Sequence, residues 1–225
     1  MIVYGFAETY KSWLMIHLAF CLSTGTSWLG FKTTKCRVLV IQSEQTELNY
    51  AARLTDWVRT HKINPGAVKD LRFINEPGLR MDSTHWQFFI EEEVKEFRPD
   101  VIIVDDLYKS IISEVDYSSL SKYINFSFYL RQSYGVSIVT VHHPRKEDRF
   151  SENHGWENRN GLDELSGYAI LNRDVETVIR VWHTDKEHDK TLLLLQWQKT
   201  RNVKGELGDF YVRWNPIRMA FDRTI

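Results

Sequence analysis

Residues 1–12 read M-I-V-Y-G-F-A-E-T-Y-K-S, and the rest of the chain takes its meaning from them. The apolar run Ile2-Val3-Tyr4 ends at Gly5, four residues and Tyr10 follow, and then come Lys11-Ser12 and a strongly apolar helical stretch. Strand, loop, Lys-Ser and helix in that order is the layout of a phosphate-binding loop, G-x-x-x-x-G-K-[ST], with Tyr10 where the second glycine stands. The chemistry requires the order, because backbone N–H groups of the loop and of the helix N-terminus cup an anionic phosphate. Lys11 is placed to neutralise β and γ oxygens, and the Ser12 hydroxyl to hold Mg2+. The candidate nucleotide-binding residues are therefore Gly5, Phe6, Ala7, Glu8, Thr9, Tyr10, Lys11, Ser12 and Trp13.

Downstream of this loop the helix runs from about Ser12 to Thr24 and stops at Gly25. Its W-L-M-I-H-L-A-F-C-L core imitates a secretory leader. Against that reading, His17 interrupts the core and the charged region would have to include the apolar M-I-V-Y. A helix buried against a parallel sheet is apolar almost all round and explains the run equally well. No other stretch approaches the length of a membrane span, so no membrane association and a cytoplasmic protein are expected.

The 225 residues, 43% of them hydrophobic, are enough for one α/β domain with a substantial core. A net charge of −1 and a pI near 6.7 give no global basic field, so any nucleic-acid contact has to come from a local patch. Cys21 lies inside an apolar helix pattern and Cys36 just before a strand, which argues against a disulfide framework and fits a reducing compartment.

Three further β-branched runs follow, Arg37 to Gln42, Val101 to Asp105 and Ser137 to Val141, each fit for a buried parallel strand. Helices are expected from about Thr46 to Lys62, Ser83 to Phe97 and Leu120 to Tyr134, with a short strand at Leu71 to Ile74. The helix at Ser83 to Phe97 is expected to turn Trp86, Phe89, Ile90 and Val94 inward and its acidic trio Glu91 to Glu93 into solvent. The βαβαβαβ order argues a mostly parallel sheet wrapped by helices, with ligands at the carboxyl ends of the strands. Those ends carry the phosphate loop, Glu44, Asp105-Asp106 and His142-His143. Pro144 to Gly161 is polar, without periodicity, and reads as a loop. Thr177 to His183, Thr191 to Gln198 and Phe210 to Trp214 then read as antiparallel strands joined by tight turns, with Lys204-Gly205 in the last turn.

With these residues in hand, the chain resembles the RecA-like ATPases, in particular the hexameric branch of RepA- and DnaB-type replicative helicases of phages and plasmids. The resemblance runs from Gly5 to about Trp214. It implies a RecA-like P-loop α/β fold: a mostly parallel central sheet flanked by helices, with a C-terminal antiparallel extension. It implies ATP and Mg2+ as ligands, single-stranded DNA as partner and a hexameric ring as the assembly. Lys11 and Ser12 match the Walker A lysine and metal-binding hydroxyl, and Asp105 matches the Walker B aspartate that holds Mg2+ through water. Glu44, in I-Q-S-E, stands where this branch carries its catalytic glutamate, followed by a matching Arg53-Leu54. One of His142 and His143 matches the strand-end histidine that senses the γ-phosphate. The segment Leu165-Ser166-Gly167-Tyr168-Ala169 with Glu176-Thr177 matches the family's L-R-G-S-G…D-T spacing, Ser166 replacing an arginine. Lys199-Thr200-Arg201-Asn202 resembles the K-x-R-N element whose basic pair reaches a neighbour's nucleotide.

Each residue also has a plainer reading. Glu44 could cap the following helix, Asp106 could cap or support, and Lys199 and Arg201 could be outward charges on a hairpin. His17 and His61 read as ordinary helix residues. Arg145, Lys146 and Arg149 could face DNA, while Glu147 and Asp148 among them equally suit a solvated loop. Tyr10 replaces a glycine that permits close backbone approach, and Glu8 brings an anion toward a phosphate nest; both would weaken ATP binding. The resemblance implies one ATPase domain over residues 1–225 without the extra N-terminal domain or linker of the helicases. That suits a compact mobile-element ATPase or a fragment of something longer. The rival functions are a recombination or repair ATPase on the same fold and a nucleotide-binding regulatory module that does not turn over.

Overall fold

The computed structural model describes residues 1–64, 66, 68–107, 109–111, 117–144, 171, 174–201 and 207–224. Each apolar run between turn residues becomes a strand: β1 (Ile2–Tyr4), β2 (Val38–Gln42), β3 (Leu71–Asn75), β4 (Val101–Asp105) and β5 (Ser137–His142). After them come β6 (Thr177–His183), β7 (Leu192–Thr200), β8 (Phe210–Asn215) and β9 (Ala220–Thr224). Among the described residues these form one nine-stranded sheet in the order β3-β2-β4-β5-β1-β6-β7-β8-β9. The strands from β3 to β6 in that order run parallel, so their carboxyl ends share one edge. From β6 onward the neighbours are antiparallel.

Alternation along the strands divides the core between two faces. Val38, Val40, Ile103 and Val141 meet helix α1 (Lys11–Thr24), helix α2 (Glu47–Thr60) and the β8–β9 hairpin. Leu39, Ile41, Ile102 and Val104 meet helices α3 (Thr84–Phe97) and α4 (Tyr117–Tyr134) on the opposite face. The apolar circumference of α1 has a direct cause: Trp57 of α2 and Trp214 and Phe221 of the hairpin cover what the sheet leaves open. Gly25 ends the helix with φ of 76° and its N–H donating to the Cys21 carbonyl, the left-handed stop that glycine favours. Cys21 and Cys36 are free thiols. No helix among the described residues is long and apolar enough to cross a membrane.

Three expectations are corrected. Thr177–His183 belongs to the parallel part of the sheet, since β6 pairs Ile2 with Val178 along β1 and turns antiparallel only toward β7. In α3 Ile90 and Val94 are buried and Trp86 is half-buried on the same core, while Phe89 stays 36% exposed beside the Trp86 ring. The acidic trio is not bare: Glu91 accepts hydrogen bonds from Tyr129 and Tyr134, and Glu93 pairs with Arg72 at 2.9 Å. The segment Arg145 to Ala169, Asn202 and the Lys204-Gly205 turn lie outside the described residues.

Candidate functional site: a phosphate loop at the carboxyl edge of the sheet

Strand β1 sits between β5 and β6, and the chain leaves it against β6 so closely that a Cβ on Gly5 would lie 2.1 Å from the Val181 carbonyl oxygen. Only glycine tolerates that approach. The turn from Phe6 to Tyr10 then swings back to start α1. Glu8 and Tyr10 both adopt left-handed φ, 68° and 54°, the conformation that the motif ordinarily reserves for glycine. Tyr10 is the N-cap of α1, and its carbonyl accepts from the Leu14 N–H at 2.9 Å.

Lys11 is buried, 6% exposed, and its Nζ donates to the carbonyls of Gly5 (2.8 Å) and Phe6 (2.7 Å) and to Thr9 Oγ1 (3.2 Å). Burial lowers its pKa to about 8, opposed by the nearby charges of Asp105, Asp106 and Glu44. The ammonium therefore sits inside a loop of oxygens, the geometry that phosphate oxygens can share. Ser12, one residue on, lies near enough to the Asp105 carboxyl at the end of β4 to favour its ionised form. Burial raises the Asp105 carboxyl to about 6, with Asp106 and Glu44 adding to the rise and Ser12 and Lys11 opposing it. A hydroxyl near a desolvated carboxylate, with Asp106 and Glu44 acting on the same group, fits a divalent cation. Among the described residues no group of three or more His, Cys, Asp or Glu side chains is gathered for a metal. A Mg2+ that keeps several waters and shares phosphate oxygens needs no such cage.

Glu44 lies one residue beyond Ser43, whose N–H donates to the Asp105 carbonyl (3.2 Å) and whose hydroxyl meets Ser110 Oγ (2.8 Å). The structure decides one alternative, because Thr46 caps α2 by accepting from the Asn49 N–H (3.5 Å). Glu44 is left exposed at the site, within electrostatic reach of Lys11 and Asp105. The two histidines at the end of β5 part company. His142 is fully buried, whereas His143, a third exposed, places Nε2 2.8 Å from Asp106 Oδ2. Burial alone would raise the Asp106 carboxyl, but His143 and the Lys109 N–H hold it below the ordinary carboxylate range. Asp106 thus supports a histidine as well as capping the turn that follows it.

A family model described as an AAA domain matches residues 1–149, nearly all of the parallel part of the sheet and the loop that precedes α1. The chain belongs to this AAA-domain family. Its fold is RecA-like: the crystal structure of the RadB recombinase superimposes with a TM-score of 0.63 at 13% identity, covering 100% of this chain and 90% of that one. No curated protein matches the chain in sequence. This AAA domain is accordingly a RecA-like P-loop ATPase domain.

Within the domain, Lys199 and Arg201 stand apart from the other candidates. Val178 pairs with Lys199 and Thr177 with Thr200 at the start of β6, while Val181, four residues along, abuts Gly5. The basic pair therefore lies at the amino edge of the parallel strands, roughly 13 Å of strand from the chain's own loop. Glu8 is also displaced from the nest that it seemed to oppose: its carboxylate turns outward to Lys186 at 2.8 Å. Sequence reasoning missed Trp214, which packs its ring on Tyr10 and Trp13 from β8. Nothing in the sequence marks one of eight tryptophans as a neighbour of a loop two hundred residues earlier.

Proposed function

We propose that the domain is a DNA-associated motor that binds and hydrolyses ATP, of the kind found in replicative helicases of mobile elements. The observation that carries the reading is Lys11, buried on the carbonyls of Gly5 and Phe6 and within electrostatic reach of the Asp105 carboxyl that ends β4, because it joins the first loop to that strand end as phosphoryl transfer requires. In this reading residues 5–13 receive the nucleotide, Lys11 exchanging its loop oxygens for those of the phosphates. Ser12 and Asp105 would hold Mg2+, which would neutralise charge on the phosphates. Glu44 orients the attacking water, and His143, set by Asp106, hydrogen-bonds the γ-phosphate.

Lys199 and Arg201 act on a neighbouring subunit's nucleotide. Their place at the far edge from the chain's own loop supports that assignment, and it makes turnover depend on assembly, as in a hexameric ring. Single-stranded DNA is the proposed track. A second reading, a recombination or repair ATPase that assembles into filaments, is favoured by the likeness to the RadB recombinase across the whole chain.

The test is steady-state ATP hydrolysis by the purified chain with and without single-stranded DNA, beside Lys11→Ala. DNA-stimulated turnover that Lys11→Ala abolishes is the expected result. ATP binding without turnover would overturn the motor and leave a regulatory nucleotide-binding module. Electron microscopy of the ATP-bound assembly separates rings from filaments.

A further inference from the structure

Tyr10 occupies a left-handed backbone position that L side chains rarely adopt, at the point where the motif has glycine. Something has to hold it there. Its ring stacks on Trp214 of β8, centroids 5.6 Å apart and planes 25° apart. Trp214, only 5% exposed, presents its ring to Trp13 as well, at 5.3 Å and 29°. Trp13 continues the stack onto Trp57 of α2 at 6.0 Å, and the Arg53 guanidinium lies over the Trp13 ring at 5.5 Å. Tyr10 and Trp13 are the residues on either side of Lys11-Ser12. A single tryptophan from the C-terminal hairpin thus touches both flanks of the pair that would meet the phosphates. A second tie comes from β6, where His183 Nε2 lies 3.1 Å from the Glu8 carbonyl oxygen and the ring sits edge-on to Tyr10.

We propose that Trp214 is a positioning residue for the phosphate loop: clasped by Tyr10 and Trp13, it holds the loop in the conformation that receives the nucleotide. The inference deepens the ATP reading and rests on it. It adds the β8–β9 hairpin, which lies beyond the residues matched by the family model, to the nucleotide site. It also reverses the meaning of Tyr10, since the ring that replaces glycine becomes the loop's anchor instead of an obstacle. The rigidity that a glycine-rich loop gains by wrapping phosphate is here present before the ligand arrives.

The experiment has two readouts on the full chain. Hydrogen exchange at the amides of residues 6–11, measured without nucleotide, reports the clasp. Steady-state ATPase kinetics report what the clasp does for the site. Trp214→Leu is expected to speed exchange at these amides and to raise KM for ATP about tenfold while kcat stays within about twofold, the size expected for losing two aromatic pairs. Tyr10→Leu and Tyr10→Gly should both speed exchange, and Tyr10→Phe, which keeps the ring, should retain the protection. Trp214→Phe, a smaller change in a buried ring, should fall between wild type and Trp214→Leu, so the series remains readable if the leucine variant folds poorly. Wild-type exchange in Tyr10→Leu or Trp214→Phe would overturn the clasp, as would a lower KM in Tyr10→Gly. A wild-type chain that neither binds nor hydrolyses ATP would instead sink the ATP reading, and exchange would still decide whether Trp214 holds the loop.

Discussion

Glu44 owes its position to its neighbour. Ser43 is tied by its N–H to β4 and by its hydroxyl to Ser110, whose own hydroxyl donates to the Asp106 carbonyl at 2.6 Å. The carboxylate at residue 44 is consequently the free end of a fixed backbone, and Thr46 relieves it of any capping duty. Glu44→Gln keeps the shape and removes the proton acceptor. It should leave the ATP dissociation constant within about threefold and lower kcat by a factor of about 10² to 10⁴, the range of a lost general base. A filter-binding titration beside single-turnover hydrolysis checks both halves, and retained turnover would move the water-orienting role elsewhere. At this scale the sequence made Lys11, Ser12, Asp105 and Glu44 legible because strand ends are visible as apolar runs that stop. It left His142 and His143 unresolved, since the pair straddles the last residue of β5 and one step of a strand reverses the face. Burial of His142 and the position of Asp106 beside His143 tell them apart.

Helix α1 carries the candidate phosphate-binding end and is buried over most of its length. His17, on its second turn, stacks on Phe221 at 6.1 Å and meets Trp57 at 5.7 Å. Burial, seconded by the charge of His61 and opposed by Asp222, pushes the imidazole down to about 4. Because the folded value is below the unfolded one, near 6.5, the unfolded chain binds the proton first as pH falls. Stability is then lost progressively between pH 6.5 and 4 and levels off below, by up to about 3 kcal/mol at about 1.4 kcal/mol per pH unit. His17→Leu should lose less stability than wild type in urea titrations compared at pH 7 and pH 4.5, and parallel losses would show that His17 is not responsible. The α-helices and the parallel strands were readable from periodicity and from breakers such as Gly25. Strand β9 was not, because Ala-Phe-Asp-Arg-Thr at residues 220–224 is short and mixed and becomes a strand only through its pairing with β8. The parallel pairing of β6 was equally hidden: its residues read the same for either direction, and β1 alone decides.

At the scale of the whole molecule, one edge of the sheet gathers Lys11, Glu44, Asp105 and His143 while Lys199 and Arg201 lie toward the other. The chain therefore holds Lys199 and Arg201 away from its own loop. Arg201→Ala should therefore be inactive alone yet regain turnover in mixtures with Lys11→Ala, where one partner supplies the loop and the other the arginine. Hydrolysis measured across mixing ratios should pass through a maximum, and a flat null response would remove the trans role. The arrangement of the sheet has a further result, in the order of synthesis. Strand β1 is made before its two neighbours, β5 and β6, and Ile2 pairs with Thr140 and Val178. Contacts that distant in sequence close late and slowly. The loop that follows β1 therefore stands on a strand whose partners are made more than a hundred residues after it. A nascent chain stalled short of β5 would display the whole motif while β1 had neither of its neighbours.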